Sequence, residues 1–319
     1  MSRFGLKLMC ELRDPRTLVR QAQAAEDAGF EFVAISDHFH PWLPEHSHSP
    51  FAWSVLGAVA AKTERLDLAT GVTCPIMRYH PAIVAQAAAT VACLTDRQFT
   101  LGIGSGERLN EHVTGSHFPA IDLRHEMLTE AIQVMRLLWS GKWTTFRGRY
   151  FTAEDARIYD LPDKPIHLVV AISGDESLRV AEQSSADGIM TVEPLPDLVQ
   201  QWTQNNGGPA GTWAETTFCW APTKEEGLRL AHERFRFAVP GWKVMAELPN
   251  PVNFAAACSA VTPEEVGKMI PHGPDPEPYV AALQSYLDAG LENISIVPAG
   301  DDLAGFIEFW TNEVVTAFG

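Results

Sequence analysis

The sequence predicts a (β/α)8 barrel, a TIM-type α/β fold in one domain over residues 1–319, on three observations. Short β-branched or aromatic runs alternate with longer runs of helical period, the pattern of a parallel sheet covered by helices. Eight such strand runs are present, which suits a closed barrel better than an open doubly wound sheet. Two long irregular stretches, residues 141–165 and 239–278, read as insertions, the second as an excursion over one end of the barrel.

In order, Phe4 to Cys10 is the first strand, and Asp14-Pro15 opens a helix with apolar residues at Leu18, Ala22, Ala25 and Ala28 that stops at Gly29. Phe32 to Ser36 is the second strand, followed by a helix from Ser49-Pro50 to about Thr63. Leu66 to Val72 precedes a helix over Pro81 to Leu94, and Phe99 to Ile103 precedes one over Arg124 to Trp139. Ile166 to Ile172 leads into Asp175–Ser184, and Gly188 to Val192 into Pro196–Gln204. The last two units are Thr216 to Trp220 with a helix over Lys224–Phe237, and Asn293 to Val297 with a C-terminal helix over Leu303–Phe318.

Composition excludes several classes. With 24 Lys and Arg against 40 Asp and Glu, the net charge of −16 rules out a broad electrostatic grip on nucleic acid or an anionic membrane. A 46% hydrophobic share with 20% charged residues belongs to a globular chain with a large core. No apolar run approaches a membrane span, and Met1-Ser2-Arg3-Phe4 leads into a strand with no apolar signal region. The five cysteines are scattered without a CxxC pair. The expectation is a cytoplasmic protein with reduced thiols.

In such barrels the reactive groups follow the C-terminal ends of the strands. After the second strand, Asp37, His38, His40 and Trp42 supply a carboxylate, imidazoles that titrate near neutrality and a flat aromatic wall. A polar strand end with a packed Trp explains the same cluster equally well. A metal site is disfavoured, because adjacent ligands on a short turn diverge and no distant HxH or HExxH partner completes a shell. Gly102-x-Gly104-x-Gly106-Glu107 lacks the dinucleotide spacing and reads as backbone left bare for a planar or phosphorylated cofactor, with Glu107 facing the pocket. Ser173-Gly174 before a helix start offers N–H groups and a hydroxyl as a phosphate cradle, an ordinary helix cap being the plainer alternative. Arg78 and Arg108 are rim cations or simply solvated arginines.

Several segments in order resemble one family: Ser36-Asp37-His38-Phe39-x-Pro41-Trp42, Arg78-Tyr79-x-Pro81-Ala82-x-x-Ala85-Gln86-Ala87, and the Gly102 run continuing through Leu109-Asn110-Glu111. Leu138-Trp139-Ser140-Gly141 and a Gly-x-Tyr-Phe segment ending in Tyr159-Asp160 extend the match. Together they resemble the coenzyme F420 (deazaflavin)-dependent glucose-6-phosphate dehydrogenase family of the luciferase-like barrel superfamily, over most of residues 4–200. The resemblance implies a dimeric barrel with F420 at the C-terminal mouth and a small-molecule substrate. It implies that His38 is the base for the substrate hydroxyl, that Trp42 lies beside substrate and deazaflavin, and that Glu107 serves the cofactor ring. It places Asp37, Gly71, Val72, Thr73, Ser105, Gly106, Asn110, Ser173 and Gly174 along the cofactor, with a cis Gly71–Val72 bond beneath it.

One departure bears on substrate. Val192, Leu195, Ala256 and Met269 stand where the family's phosphate-holding Thr, Lys, Lys and Arg are expected, with Glu193 between the first two and Lys268 one position from the last. A phosphate dianion needs cationic or multiple N–H partners. The expected substrate is a non-phosphorylated secondary alcohol or its ketone. The alternatives are a glucose-6-phosphate dehydrogenase and an FMN-dependent monooxygenase on the same barrel, with a non-enzymatic F420 carrier behind both.

Overall fold

The computed structural model describes residues 2–206 and 211–318. Its centre is a closed parallel barrel with strand order β1-β10-β9-β8-β7-β4-β3-β2. The strands are β1 (Arg3–Leu8), β2 (Phe32–Ile35), β3 (Asp67–Thr73), β4 (Phe99–Ile103), β7 (His167–Ala171), β8 (Gly188–Thr191), β9 (Thr212–Phe218) and β10 (Asn293–Pro298). The expected eight-stranded barrel is therefore the architecture. Closure comes from β1, which pairs Arg3 with Asn293 on one side and Gly5 with Phe32 on the other.

Strand alternation sorts the core into two layers. Leu6, Leu8, Val33, Ile35, Leu101 and Ile103 point outward under the helices. Phe32, Ala34, Ala69, Val169, Met190 and Trp213 fill the barrel itself. Burying each of these larger side chains is worth about 1.5–3 kcal/mol. Among the inward residues Lys7 is buried, donating to Gly71 O on β3 and pairing with Glu215 on β9, so one ammonium ties three strands.

Local signals set the helix starts. Asp14 accepts from Arg16 N and Thr17 N ahead of α1 (Pro15–Asp27), with Pro15 in the first turn where its missing N–H costs nothing. α2 (Ala52–Ala60) begins after Ser49-Pro50 because Phe51 stays extended. α3 (Pro81–Cys93), α5 (Ile121–Leu138), α6 (Asp175–Gln183), α7 (Pro196–Asn206) and α8 (Lys224–Phe235) cover the barrel close to their expected places. β9 starts four residues before the expected Thr216, because pairing with β10 already begins at Trp213 and Asn293. The C-terminal helix α13 (Leu303–Phe309) gives way to a π turn at Trp310, whose ring lies 5.4 Å from both Phe4 and Phe30.

The insertions have their own structure. Residues 141–165 contain an antiparallel hairpin of β5 (Thr144–Arg147) and β6 (Thr152–Ala156). The second excursion carries the short helices α9 (Trp242–Met245), α10 (Pro251–Ala257) and α11 (Pro263–Gly267). These three helices escaped the sequence reading, as did the one-turn α4 (Arg108–Glu111) and α12 (Glu277–Asp288), which begins where the second insertion ends. Among the described residues no helix is long and apolar enough to cross a membrane.

β3 and β4 meet the mouth of the barrel across an irregular register between Thr70 and Thr73, where Gly71–Val72 is cis, as the resemblance implied. Their approach depends on Gly102, where a Cβ would stand 2.1 Å from Thr70 O. Gly102→Ala is expected to cost about 1–3 kcal/mol by overpacking, seen as a lower urea midpoint. An unchanged midpoint would show that the two strands can part freely.

Candidate active site

Four strand ends converge on one cluster. Glu11 follows β1, Ser36 to Trp42 follow β2, Thr73 to Tyr79 follow β3, and Gly104 to Glu111 follow β4. His38 lies at its centre: Nδ1 is 2.6 Å from Glu11 Oε1, and Nε2 is 3.7 Å from Glu107 Oε1. The Nδ1 contact is short but poorly aligned for a hydrogen bond, so charge attraction carries it. Glu11 is 1% exposed, and its other oxygen accepts from Ser36 Oγ at 2.8 Å. Ser36 Oγ in turn accepts from Cys10 N at 3.0 Å, which fixes the carboxylate's orientation.

Burial opposes ionisation of both partners, yet their mutual attraction favours the charged forms. Burial would raise the Glu11 pKa, but the His38 charge and proximity outweigh it and bring it to about 2. For His38, burial disfavours the cation; the Glu11 charge, then Glu107, overrules it and lifts the pKa above that of a free imidazole. The pairing thus biases His38 toward the imidazolium, with Glu11 behind it and Nε2 directed to Glu107. Trp42 meets His38 edge-on at 4.7 Å and stacks on Phe237 at 4.8 Å with 9° between planes. Phe254 meets the same ring at 5.3 Å. Phe237 after α8 and Phe254 in the second insertion thus wall the site with aromatic rings.

Asp37 is fully engaged by the protein. Thr73 Oγ1 donates to Oδ2 at 2.8 Å, while Arg78 at 3.1 Å and the Tyr79 hydroxyl at 3.0 Å donate to Oδ1. Arg78 is therefore a buried partner of Asp37, not a rim or solvated cation. Asn110 Oδ1 accepts from Phe39 N at 2.7 Å and His40 N at 2.9 Å, while its amide donates to Glu107. Asn110 thus holds the His38 turn against the Glu107 side chain. These buried groups support a ligand wall from behind.

The open wall is made of small residues. A Cβ on Gly104 would meet Val72 Cγ2 at 3.1 Å and Ala171 Cβ at 3.6 Å, so the ends of β3, β4 and β7 share one bare patch. Gly71, Val72, Ser105, Ala171 and Gly174 are half-buried around it, and Ser173 is exposed. A flat ring system fits such a patch, because nothing longer than a methyl or isopropyl group projects from it. The phosphate cradle needs correction. Ser177 Oγ already accepts from Ser173 N at 3.0 Å and Gly174 N at 3.2 Å, so the two N–H groups are spent capping α6. Among the described residues no three His, Cys, Asp or Glu side chains gather as a metal-ligand set.

The sequence reading brought His38, Trp42 and Glu107 together correctly but passed over Glu11. Its signal was an acid three residues beyond β1, a strand end to which the sequence reading assigned no chemistry. Arg124 also escaped notice: it is buried, stacks 4.0 Å over Phe118 and donates to Gly106 O at 2.7 Å. It pins the left-handed Gly106 turn from the outside.

Comparison with known proteins agrees with this geometry. Residues 2–292 match the family model described as luciferase-like monooxygenase. An F420-dependent glucose-6-phosphate dehydrogenase of Tsukamurella paurometabola is 34% identical over 96% of this chain and 94% of its own. An F420-dependent hydroxymycolic acid dehydrogenase of Mycobacterium tuberculosis is 36% identical over 93% of this chain and 83% of its own. An F420-dependent secondary alcohol dehydrogenase, solved with an F420–acetone adduct, superposes with a TM-score of 0.90 at 28% identity over 100% of this chain and 99% of its own. The barrel, the strand-end cluster and these matches together show that the chain belongs to the luciferase-like family, beside its F420-dependent dehydrogenases.

Proposed function

We propose that this protein is an F420-dependent oxidoreductase acting on the CH–OH group of a non-phosphorylated secondary alcohol, or on the matching ketone. The observation that carries the reading is the buried Glu11–His38 pair beside Trp42 and Glu107, next to a bare wall at the barrel mouth. Relatives named for F420-dependent alcohol and sugar-phosphate oxidation support it. Gly71, Val72, Gly104, Ser105, Gly106 and Ser173 would hold the deazaflavin, backed by Asp37, Thr73, Asn110 and Gly174. When bound, the deazaflavin supplies two-electron hydride exchange.

The chain's own residues handle the proton. In reduction, imidazolium His38 donates from Nε2 to the carbonyl oxygen; in oxidation, neutral His38 takes the hydroxyl proton there. Glu11 stabilises the cationic state in both directions. Glu107 lies close enough to His38 to share its charge field and to face the cofactor ring. Trp42, clamped by Phe237 and Phe254, presents an apolar wall to the substrate carbon skeleton.

The substrate class follows from the missing cations. Glu193 follows β8, where Val192 is largely exposed. Lys268 and Met269 both line a cleft with Lys224, His272 and the start of α12 that shares no residue with the His38 cluster, so neither position serves this site and the turn after β8 carries the substrate class. A buried phosphate left without a cation is strongly disfavoured. A homodimer in the cytoplasm completes the proposal, supported by exposed Ile83, Leu94 and Leu137 along α3 and α5 and by five free thiols. Light scattering on the purified protein checks the dimer.

Three outcomes are expected. His38→Ala lowers turnover about 10²–10⁴-fold while F420 still binds, measured by F420 absorbance and by fluorescence titration. Unchanged turnover would remove His38 from the chemistry, and FMN binding without F420 binding would favour the monooxygenase reading. With the His38 pKa raised by Glu11, carbonyl reduction falls and alcohol oxidation rises as pH climbs through that pKa. Glu11→Gln moves both profiles to lower pH. Finally, at equal concentrations neutral secondary alcohols outpace glucose 6-phosphate; a clear win for the sugar phosphate would sink the substrate assignment.

A further inference from the structure

We propose that Glu111 is a positioning residue that works as a neutral carboxylic acid, bracing Arg78 and the Gly106 turn so that the cofactor wall keeps its shape. This deepens the proposed function and rests on the F420 reading for its second part alone.

The geometry points to a neutral group. Glu111 is 1% exposed, on the one-turn α4. Its Oε2 accepts from Arg78 N at 3.0 Å, while Oε1 stays 3.7 Å from Arg78 Nε. That Nε is buried and has no hydrogen-bond partner. The guanidinium leans the other way, donating to Asp37 Oδ1 at 3.1 Å and to Asp37 O at 2.6 Å. An ionised Glu111 would compete for this cation; here Asp37 holds it. On its other flank Glu111 supports the cofactor loop, since a Cβ at Gly106 would meet Glu111 Cγ at 2.7 Å.

The charges facing Glu111 agree. The Glu107 and Asp37 carboxyls stand beside it, the Cys74 thiol lies against the Gly106 turn, and its neighbouring cation is Arg78, while Arg124 is taken by Gly106 O and Glu247. Of the nearby cations, His38 faces Glu11, Arg78 faces Asp37 and Arg124 faces Glu247, so each already has a carboxylate of its own. A charged Glu111 would have to share Arg78 with Asp37. Burial is the main cause that raises the Glu111 pKa to about 8, with the Arg78 charge opposing and the Glu107 charge adding.

The sign of the pH effect follows. A carboxyl whose pKa rises on folding contributes stability that is complete below its unfolded value, 4.5, and is lost as pH climbs to about 8. Glu111→Gln mimics the neutral acid and removes that loss. In the cofactor-free protein the variant's thermal midpoint should therefore gain on the parent between pH 5 and 8, then run parallel to it. F420 affinity, by fluorescence titration, should fall in the parent above about pH 8 and stay flat in Glu111→Gln. At pH 7 Glu111→Gln should bind within about twofold of the parent, whereas Glu111→Ala should lose about tenfold or more by leaving the Arg78 N–H unpaired.

Parallel stability profiles for parent and Glu111→Gln over the whole range would overturn the neutral acid. Glu111→Gln losing F420 as fully as Glu111→Ala would do the same. A parent that binds no F420 at any pH overturns the cofactor reading instead, and the cofactor-free comparison still decides the state of Glu111.

Discussion

Burying charge is the constraint that organises this molecule. Glu11, Asp37, Glu107 and Glu111 all lie within the protein at one end of the barrel. An unpaired buried carboxylate is strongly disfavoured, so each must find a cation, hydrogen-bond donors or a proton. Glu11 takes His38, Asp37 takes Arg78 with two hydroxyls, and Glu107 takes the Asn110 amide with His38 beyond it. Glu111 keeps its proton. The chemistry of the site is the result of these solutions: the imidazole becomes an acid because its neighbour had to be neutralised.

The barrel makes those pairings possible by strand adjacency. β1 beside β2 brings the residue after one strand to the side chain after the next, which is how Glu11 reaches His38 across 27 positions of sequence. β3 beside β4 does the same for Arg78 and Glu111. Below this layer Lys7 and Glu215 repeat the theme inside the barrel, with the ammonium also held by Gly71 O beneath the mouth. The floor of the site and its acid–base pair are thus set by the same parallel register.

The substrate side is governed by different physics. Phe237, in the turn after α8, stacks on Trp42 and Phe254 of the excursion meets the same ring at a steep angle, while the Arg236–Glu45 ion pair ties the turn after α8 to the segment after β2. Arg108 N donates to Ala246 O at 2.9 Å, closing the excursion onto α4 as well. A tryptophan held this way costs little further ordering when a substrate arrives. Aromatic walls recognise carbon skeletons well and phosphate poorly, in accord with the missing cations near β8.

Period and punctuation alone determined the barrel. Alternating Leu6-Lys7-Leu8 and the helix-period run from Leu18 to Ala25 are local patterns, so eight strands and most helices were legible before any contact was known. So were His38, Trp42 and Glu107, because the chemistry of this fold gathers where strands end. α4 was not legible, since four residues carry no period, and the helix bound to Ser49 overran because an extended Phe51 leaves no sequence mark. The pairings of Glu11 and Arg78 lacked any local signal: their partners stand 27 and 41 positions away, and only strand adjacency brings them together. The same holds for Ser177, which takes the N–H groups that sequence alone left free for phosphate. Protonation lay furthest from the sequence. Whether His38 is a cation and Glu111 a neutral acid depends on burial and on the sum of neighbouring charges, quantities that exist only once the chain has folded.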